Sequence, residues 1–147
     1  MPFRARFIPK NPHKYVGDVD DIWARSSWEV TVMKWLDSRD AVIRWGSEEI
    51  IIPYLSPEDN KVHRYFPDFF VEYVDENGVV KKEVLEVKPR HETDEKYAKH
   101  DRSKKALAVN EAKWKAASIW CEQRNMNFRV LTEHSIFYQG EKKKKAS

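Results

Sequence analysis

A predicted β-hairpin in the middle of the chain constrains the fold most. Residues 62–74 and 79–88 are rich in β-branched and aromatic side chains, and Asp75-Glu76-Asn77-Gly78 separates them. Asn-Gly accepts the positive φ angles that tight hairpin turns need, so the two segments are expected to pair as antiparallel strands. Pro89 ends the second strand, because proline has no backbone N–H to donate. The chain is therefore predicted to be built around a β-sheet.

The segments around the hairpin predict two helices and further strands. The first helix begins at Ser26 or Ser27, either of which can cap it, and ends within residues 37–40. The other predicted elements are strands at 42–45, 49–54 and 128–132, a polar, mobile loop at 90–102 and a second helix at 103–125. This order of elements indicates a mixed α/β fold.

Composition excludes several classes of protein. The 147 residues suit one domain, and 41% of them are hydrophobic, which argues against a disordered chain. No apolar run approaches the ~20 residues of a membrane span, so no membrane association is expected. Cys121 is the only cysteine, which excludes an intrachain disulfide and a cysteine zinc cluster and suits a reducing cytoplasm.

Positive charge is concentrated at the two ends of the chain. The first fifteen residues contain four basic residues and no acid, and residues 141–147 contain four lysines and one glutamate. We therefore expect an extended basic arm over the domain at 1–24, a single domain at 25–140 and a disordered lysine tail at 141–147. Such ends either follow a phosphate backbone or only keep a protein in solution, and the sequence leaves both open.

The second strand of the hairpin places two charged residues on one face. Side chains alternate along a strand, so Leu85 and Val87 are expected in the core and Glu86 and Lys88 on the opposite face. Glu86 and Lys88 would lie ~6.6 Å apart along the strand, at ~3.3 Å per residue. Asp68, at the start of the partner strand, can converge with Glu86 across the sheet.

Two converging carboxylates repel each other, and a hard divalent cation such as magnesium relieves that repulsion. The Lys88 ammonium could position an attacking water and stabilise charge that develops on a phosphate. The alternative is an exposed strand face on which Glu86 and Lys88 only add solubility.

Two residues stand at unusual positions on helical wheels. Glu29 flanks the apolar face of the first helix, where a buried carboxylate needs a partner such as a metal or its bound water. Lys113 falls inside the apolar arc of the second helix. It either extends outward at the rim of that arc or points into a site on the sheet, and the sequence leaves both open.

The other polar and aromatic residues have ordinary interpretations. The histidines show no metal-ligand spacing and are expected at the surface. Helical spacing favours core positions for four tryptophans, which are Trp28, Trp35, Trp114 and Trp120.

The chemistry-bearing residues occur within longer runs that resemble a known family. Glu29, Pro67-Asp68 and Glu86-Val87-Lys88, in the order helix, strand, strand, look like the motif of the PD-(D/E)XK nuclease superfamily. The sequence is similar to TnsA-type transposon endonuclease domains over residues 25–133, in the runs 25–29, 64–69, 85–89, 120–122 and 128–133. The arm, especially residues 7–15, resembles that of the head completion nucleases of tailed phages.

This resemblance implies a fold and a set of residue roles. The fold would be a restriction-endonuclease-like core with a central mixed β-sheet flanked by helices. Asp68 and Glu86 would bind the metal, Lys88 would be the catalytic lysine, and Glu29 would be a further carboxylate at the metal. Lys113 is carried over only as a possible addition to the active site. The cofactor would be magnesium, with manganese as a substitute.

Three functions remain as hypotheses. The first is a magnesium-dependent DNA nuclease that acts in phage head completion and head-tail joining, with DNA and phage head or portal proteins as partners. It would work in the host cytoplasm during assembly, and its presence in the virion stays open. The second is a structural neck protein that uses a nuclease fold to dock to the portal. The third is a TnsA-like transposition endonuclease.

Overall fold

A four-stranded mixed sheet forms the centre of the computed structural model, which describes residues 3–93 and 101–138. In spatial order its strands are β3 (Val42–Ser47), β6 (Phe69–Val74), β7 (Val80–Val87) and β8 (Asn127–Leu131). The first three are antiparallel neighbours, and β8 runs parallel to β7.

Two α-helices, two short ladders and short helical turns at Pro12–Lys14, Arg90–Glu92 and His134–Tyr138 accompany the central sheet. The helices are α1 (Ser27–Ser38) and α2 (Asp101–Glu122). One ladder pairs β1 (Ala5–Arg6) with β2 (Trp23–Ala24), and the other pairs β4 (Ile52–Leu55) with β5 (Val62–Tyr65). The prediction of a mixed α/β fold, with a central mixed sheet flanked by helices, is confirmed. No helix of the described residues is long and apolar enough to cross a membrane.

Two hydrophobic clusters form the core. The first contains Met33 and Leu36 of α1 together with Phe69 and Leu85 of the central sheet. The second lies between α2 and the β4–β5 ladder, and Phe128 of β8 packs against it. Since neighbouring residues of a strand face opposite sides, the Leu85 contact turns Glu86 away from the α1 cluster. The predicted faces of this strand are therefore confirmed.

The central hairpin forms as the sequence predicted. The β6 and β7 strands pair from Phe69 opposite Leu85 to Val74 opposite Val80. In the turn, Gly78 has a φ of 78°, and the Asp75 carboxylate accepts backbone N–H bonds from Asn77 and Val79, both of 2.9 Å. Because the pairing extends along all of β6, it fixes which residues stand opposite each other at the end of the hairpin away from the turn. The charged residues singled out in the sequence lie at that end.

Strand 62–74, predicted as continuous, is two strands. It divides at Phe66-Pro67-Asp68, so that β5 pairs with β4 while β6 joins the central sheet. Pro67 cannot donate a ladder hydrogen bond, which accounts for the break.

The second helix differs from its predicted bounds at both ends. It starts at Asp101 and ends at Glu122, three residues before the predicted end. Asn125 adopts a left-handed φ of 55°, and the Met126 N–H donates to the Cys121 carbonyl at 2.9 Å. This is a Schellman termination, and asparagine tolerates the conformation it needs. In the predicted loop, Arg90–Glu92 forms a short 3-10 turn, and residues 94–100 lie outside the described residues.

One predicted core tryptophan lies at the surface. Trp35 is 48% exposed, and the Arg39 guanidinium lies 4.8 Å from the centroid of its ring. Helical spacing alone placed Trp35 on the apolar face, but Met33 and Leu36 fill that face against the sheet. Trp28, Trp114 and Trp120 are half-buried.

The N-terminal arm contributes to the core. Tyr15 and Ile22 belong to the α1 cluster, and Phe7 packs against the edge of the Trp45 ring with 5.7 Å between centroids. Asp37, at the end of α1, is 3% exposed and accepts a 2.8 Å bond from the Lys10 N–H. The same carboxylate accepts 3.3 Å bonds from the next backbone N–H. Residues 139–147, with the predicted lysine tail, lie outside the described residues.

We expect Asp37→Ala to lower the free energy of unfolding by about 1–3 kcal/mol, because it leaves two part-buried backbone N–H groups of the arm without their acceptor. Urea denaturation of the whole chain measures this. Asp40→Ala removes an exposed carboxylate three residues later and is the control, expected within about 0.5 kcal/mol of the unmodified protein. Equal stabilities for the two variants would show that Asp37 does not anchor the arm.

Candidate active site

A cleft of about 600 Å³ opens where β6 begins and β7 ends. All five side chains that the sequence singled out line it, namely Glu29, Asp68, Glu86, Lys88 and Lys113. Glu29 lies in the first turn of α1, and Lys113 lies in the middle of α2. The other three lie at the open end of the hairpin, where β6 begins and β7 ends. The fold therefore brings together residues that are up to 84 positions apart in the sequence (113 − 29 = 84).

The hairpin register places the two central carboxylates opposite each other. Phe69 pairs with Leu85, so Asp68 and Glu86 are the next facing residues along the ladder. The Asp68 Oδ2 accepts the Val87 N–H at 2.7 Å, and the Glu86 Oε2 accepts the Tyr65 hydroxyl at 2.7 Å. These two hydrogen bonds hold both carboxylates in fixed orientations. Asp68 is thus positioned by the strand that carries Glu86, and Glu86 is positioned by the neighbouring β4–β5 ladder.

The surroundings of this pair oppose negative charge. Burial, followed by the charge of Glu86, holds the pKa of Asp68 well above its usual range. Burial is also the largest cause that raises the pKa of Glu86, which is only 7% exposed. The alternative of an exposed, merely solubilising strand face is therefore wrong for Glu86, because the β4–β5 ladder and α2 enclose it.

Glu29 lines the same cleft and is held at the start of α1. The Ser26 hydroxyl oxygen accepts the Glu29 N–H at 3.1 Å and caps α1, as the sequence predicted. The Glu29 Oε1 accepts the Arg25 N–H at 3.2 Å. Burial is the largest cause that raises the pKa of Glu29, and the Glu48 charge adds to it. The negative charge of Glu29 in turn raises the pKa of Asp68.

Both candidate lysines are near the carboxylates. The positive charges of Lys88 and Lys113 both lower the pKa of Glu86 and so offset part of the effect of burial. The Lys113 Nζ lies 5.6 Å from the centroid of the Tyr65 ring and 5.8 Å from that of Tyr54. Of the two positions that the sequence left open for Lys113, the structure gives the one that faces the sheet.

Several cleft residues were not identified from the sequence. Arg25 and Glu48 form an ion pair of 3.1 Å on one wall, and Arg64 and Phe66 line another. Tyr65 is the most consequential omission, because its hydroxyl bonds directly to Glu86. A signal was present in the sequence, since Tyr65 precedes Asp68 by three residues within the run used for the family resemblance.

The donor set of the cleft suits a hard cation at its centre. Asp68 and Glu86 are the pair that could bind one, since they face each other across the hairpin and the Glu86 charge adds to burial in raising the pKa of Asp68. Among residues 3–93 and 101–138, no three His, Cys, Asp or Glu side chains group closely enough to hold a metal ion. Glu29, the third predicted ligand, lines the same cleft, and its role at a metal stays a prediction.

The raised pKa values predict a pH-dependent stability of the cation-free protein. The folded protein keeps protons on Asp68 and Glu86 at pH values where the unfolded chain has lost them, so stability falls as pH rises from about 4. Asp68→Asn keeps an oxygen acceptor for the Val87 N–H but carries no charge. We expect this variant to melt above the unmodified protein at pH 8, and the difference to vanish near pH 4.

Thermal melting in a chelator measures this difference, and each kcal/mol corresponds to about 4 °C in a domain of this size. Glu76→Gln, in the exposed hairpin turn, is the control and should leave the melting temperature unchanged at both pH values. A variant Asp68→Asn that melts below the unmodified protein at pH 8 would mean that the carboxylate stabilises the fold.

Comparisons with known proteins agree with this arrangement. The family described as "TnsA-like endonuclease N terminal" matches residues 39–133, a range that contains Asp68, Glu86, Lys88 and Lys113. The chain is 36% identical over 142 residues to the "Head completion nuclease" of Enterobacteria phage T4, and the match covers 92% of this chain and 95% of that protein. The similarity is nearly full-length for both proteins. The chain belongs to the TnsA-like endonuclease family.

Proposed function

We propose that this protein is a DNA nuclease that hydrolyses phosphodiester bonds with a divalent cation, magnesium in the cell and manganese as a substitute. The observation that carries the proposal is the pair of half-buried Asp68 and buried Glu86, with Lys88 and Lys113 beside it in one cleft. A scaffold protein has no use for two adjacent carboxylates withdrawn from solvent, because they cost stability.

The cation would be held by Asp68 and Glu86. When bound, it supplies Lewis-acid polarisation of a phosphate oxygen and a more acidic water molecule. Glu29 acts at the edge of the site, where its carboxylate accepts hydrogen bonds from water rather than binding the ion directly. Two observations support this assignment: the Glu29 carboxylate is already bonded to the Arg25 N–H at the start of α1, and the described residues contain no group of three side chains able to hold a metal ion.

The two lysines of the cleft supply positive charge near the phosphate, which the carboxylates cannot do. Lys88 follows Glu86 by two residues, so the two side chains share a face of β7, and its ammonium orients the attacking water and stabilises negative charge on the phosphate. Lys113 reaches the same cleft from α2 and adds a second positive charge toward the scissile group. Arg64, exposed at the wall, is placed to contact a neighbouring phosphate of the same DNA strand.

The setting that we propose is phage head completion. The named relative is a head completion nuclease, and the similarity spans 92% of this chain, whereas the TnsA-like match begins at residue 39. We infer that the protein trims or cuts packaged DNA and contacts head or portal proteins during head-tail joining. We infer further that it acts in the host cytoplasm, and immunoblotting of purified virions tests whether it is retained in them. This extent of similarity favours head completion over transposition.

Two experiments test the nuclease activity and the role in head completion separately. Purified protein incubated with linear, circular and branched DNA, with magnesium or with a chelator, reports the activity and the form of DNA it prefers. DNA-filled heads assembled without the protein, then incubated with it and with tails, report on head completion through the yield of infectious particles. Cleavage without any gain in particles would retain the nuclease and reject the proposed setting.

We expect Asp68→Ala, Glu86→Ala and Lys88→Ala each to lower the cleavage rate by ~100-fold or more, because each removes a charge that acts on the reacting phosphate. Single-turnover cleavage of radiolabelled duplex DNA measures the rate. Lys82→Ala is the matched control, since Lys82 is an exposed lysine on the same strand outside the cleft. Rates within a few-fold of the unmodified protein for any two of the three cleft variants would refute the assignment.

Lys113→Met tests the contribution of α2. Methionine keeps most of the apolar stem of lysine and removes only the charge, so the fold should remain stable. We expect the cleavage rate to fall by about tenfold and the melting temperature to change little. Lys115→Met, on the exposed side of the same helix, is the control. Equal rates for the two variants would remove Lys113 from the site.

A further inference from the structure

Tyr65 contacts two opposite charges of the cleft with two different parts of its side chain. Its hydroxyl donates a 2.7 Å hydrogen bond to the Glu86 Oε2, in the interior of the protein. Its ring lies 5.6 Å, measured from the centroid, from the Lys113 Nζ. Tyr65 is itself only 4% exposed.

A second aromatic ring shares the contact with Lys113. Tyr54 lies on the neighbouring strand β4, and its ring centroid is 5.8 Å from the Lys113 Nζ. The Tyr54 and Tyr65 rings are nearly perpendicular, at 84°, with 6.5 Å between centroids. Both distances are within the range at which an ammonium is attracted to the face of a ring. Two rings therefore restrict the position of the lysine.

The location of Tyr65 explains why one residue can serve both contacts. It is the last residue of β5 and pairs with Ile52, so its side chain points inward, between the β4–β5 ladder and α2. Glu86 lies on the face of the central sheet that this ladder covers. From the β4–β5 ladder, Tyr65 thus contacts a carboxylate of β7 and an ammonium of α2.

We propose that Tyr65 is a positioning residue of this active site, which orients the Glu86 carboxylate through its hydroxyl and the Lys113 ammonium through its ring. The inference rests on the nuclease function proposed above. Groups that hydrogen-bond to a metal ligand fix its orientation, and their loss typically reduces metal affinity by about 10- to 100-fold. The two contacts are chemically distinct, so two substitutions can separate them.

Tyr65→Phe removes the hydroxyl and keeps the ring. We expect the magnesium concentration for half-maximal cleavage to rise about tenfold or more. High magnesium should restore most of the rate, and the affinity for DNA without cation should not change. Titration of manganese into the DNA-free protein by calorimetry gives a measure that does not depend on activity, and it should show the same loss of affinity.

Tyr73→Phe is the matched control. The Tyr73 hydroxyl donates a hydrogen bond of the same length, 2.7 Å, to the Glu83 Oε2 on the same sheet, and neither residue lines the cleft. Both variants lose one bond between a tyrosine and a glutamate, so both should lose similar stability. Only Tyr65→Phe should change the cation affinity. A purely structural role for Tyr65 would make the two variants alike.

Tyr65→Leu, compared with Tyr65→Phe, tests the contact of the Tyr65 ring with Lys113, and Tyr54→Leu tests the neighbouring ring without touching Glu86. We expect the rate at saturating magnesium to be several-fold lower for Tyr65→Leu than for Tyr65→Phe, and several-fold lower for Tyr54→Leu than for the unmodified protein, with no further change in cation affinity. Equal rates for Tyr65→Leu and Tyr65→Phe would refute the role of the ring. Combining Tyr54→Leu with Lys113→Met should add nothing to the effect of Lys113→Met, because both act on the same ammonium.

The outcomes separate this proposal from the proposed function. If the unmodified protein neither binds manganese nor cleaves DNA, the nuclease proposal fails and this one fails with it. If it does both and Tyr65→Phe matches Tyr73→Phe in cation affinity, the positioning role is refuted while the nuclease stands. A loss of cation affinity confined to Tyr65→Phe supports the role.

Discussion

Burial of two neighbouring carboxylates costs free energy, and the surroundings of Asp68 and Glu86 limit that cost. A backbone N–H from Val87 and the Tyr65 hydroxyl each bond to one of them. The charges of Lys88 and Lys113 supply part of the compensation, yet the pKa values of both acids stay raised because burial dominates. The cleft of the cation-free protein is therefore strained electrostatically, which is the condition that favours binding of a positive ion.

The packing of the fold maintains this strained cleft. The α1 cluster, to which the N-terminal arm adds Tyr15 and Ile22, holds one face of the sheet. The second cluster, between α2 and the β4–β5 ladder, covers the other face and removes water from the region of Glu86. Hydrophobic packing in these two clusters, on opposite faces of the sheet, stabilises the fold. It offsets the destabilisation by the charged groups at the end of the sheet, so the protein stays folded while it retains them.

Family membership and geometry support each other without being the same argument. The match at residues 39–133 says which fold to expect, and the contacts within the cleft say which side chains could do chemistry. Glu29 illustrates the difference, because the resemblance implies a carboxylate at the metal, whereas the contacts show a carboxylate that lines the cleft and is bonded to the Arg25 N–H. Tyr65 is the converse case, because the resemblance assigned it no role and its bond to Glu86 indicates one.

The sequence by itself determined the hairpin, the capped start of α1, and the pairing of Asp68 with Glu86. These depend on turn chemistry, on a serine at the helix start and on strand alternation, all of which act over a few residues. Tertiary structure alone decided that the strand breaks at Pro67 into two ladders, that Trp35 faces solvent, and that Lys113 faces the sheet. It also decided that Glu86 is buried and bonded to Tyr65. Those outcomes depend on which element covers which face, and that is set by packing between segments far apart in the chain.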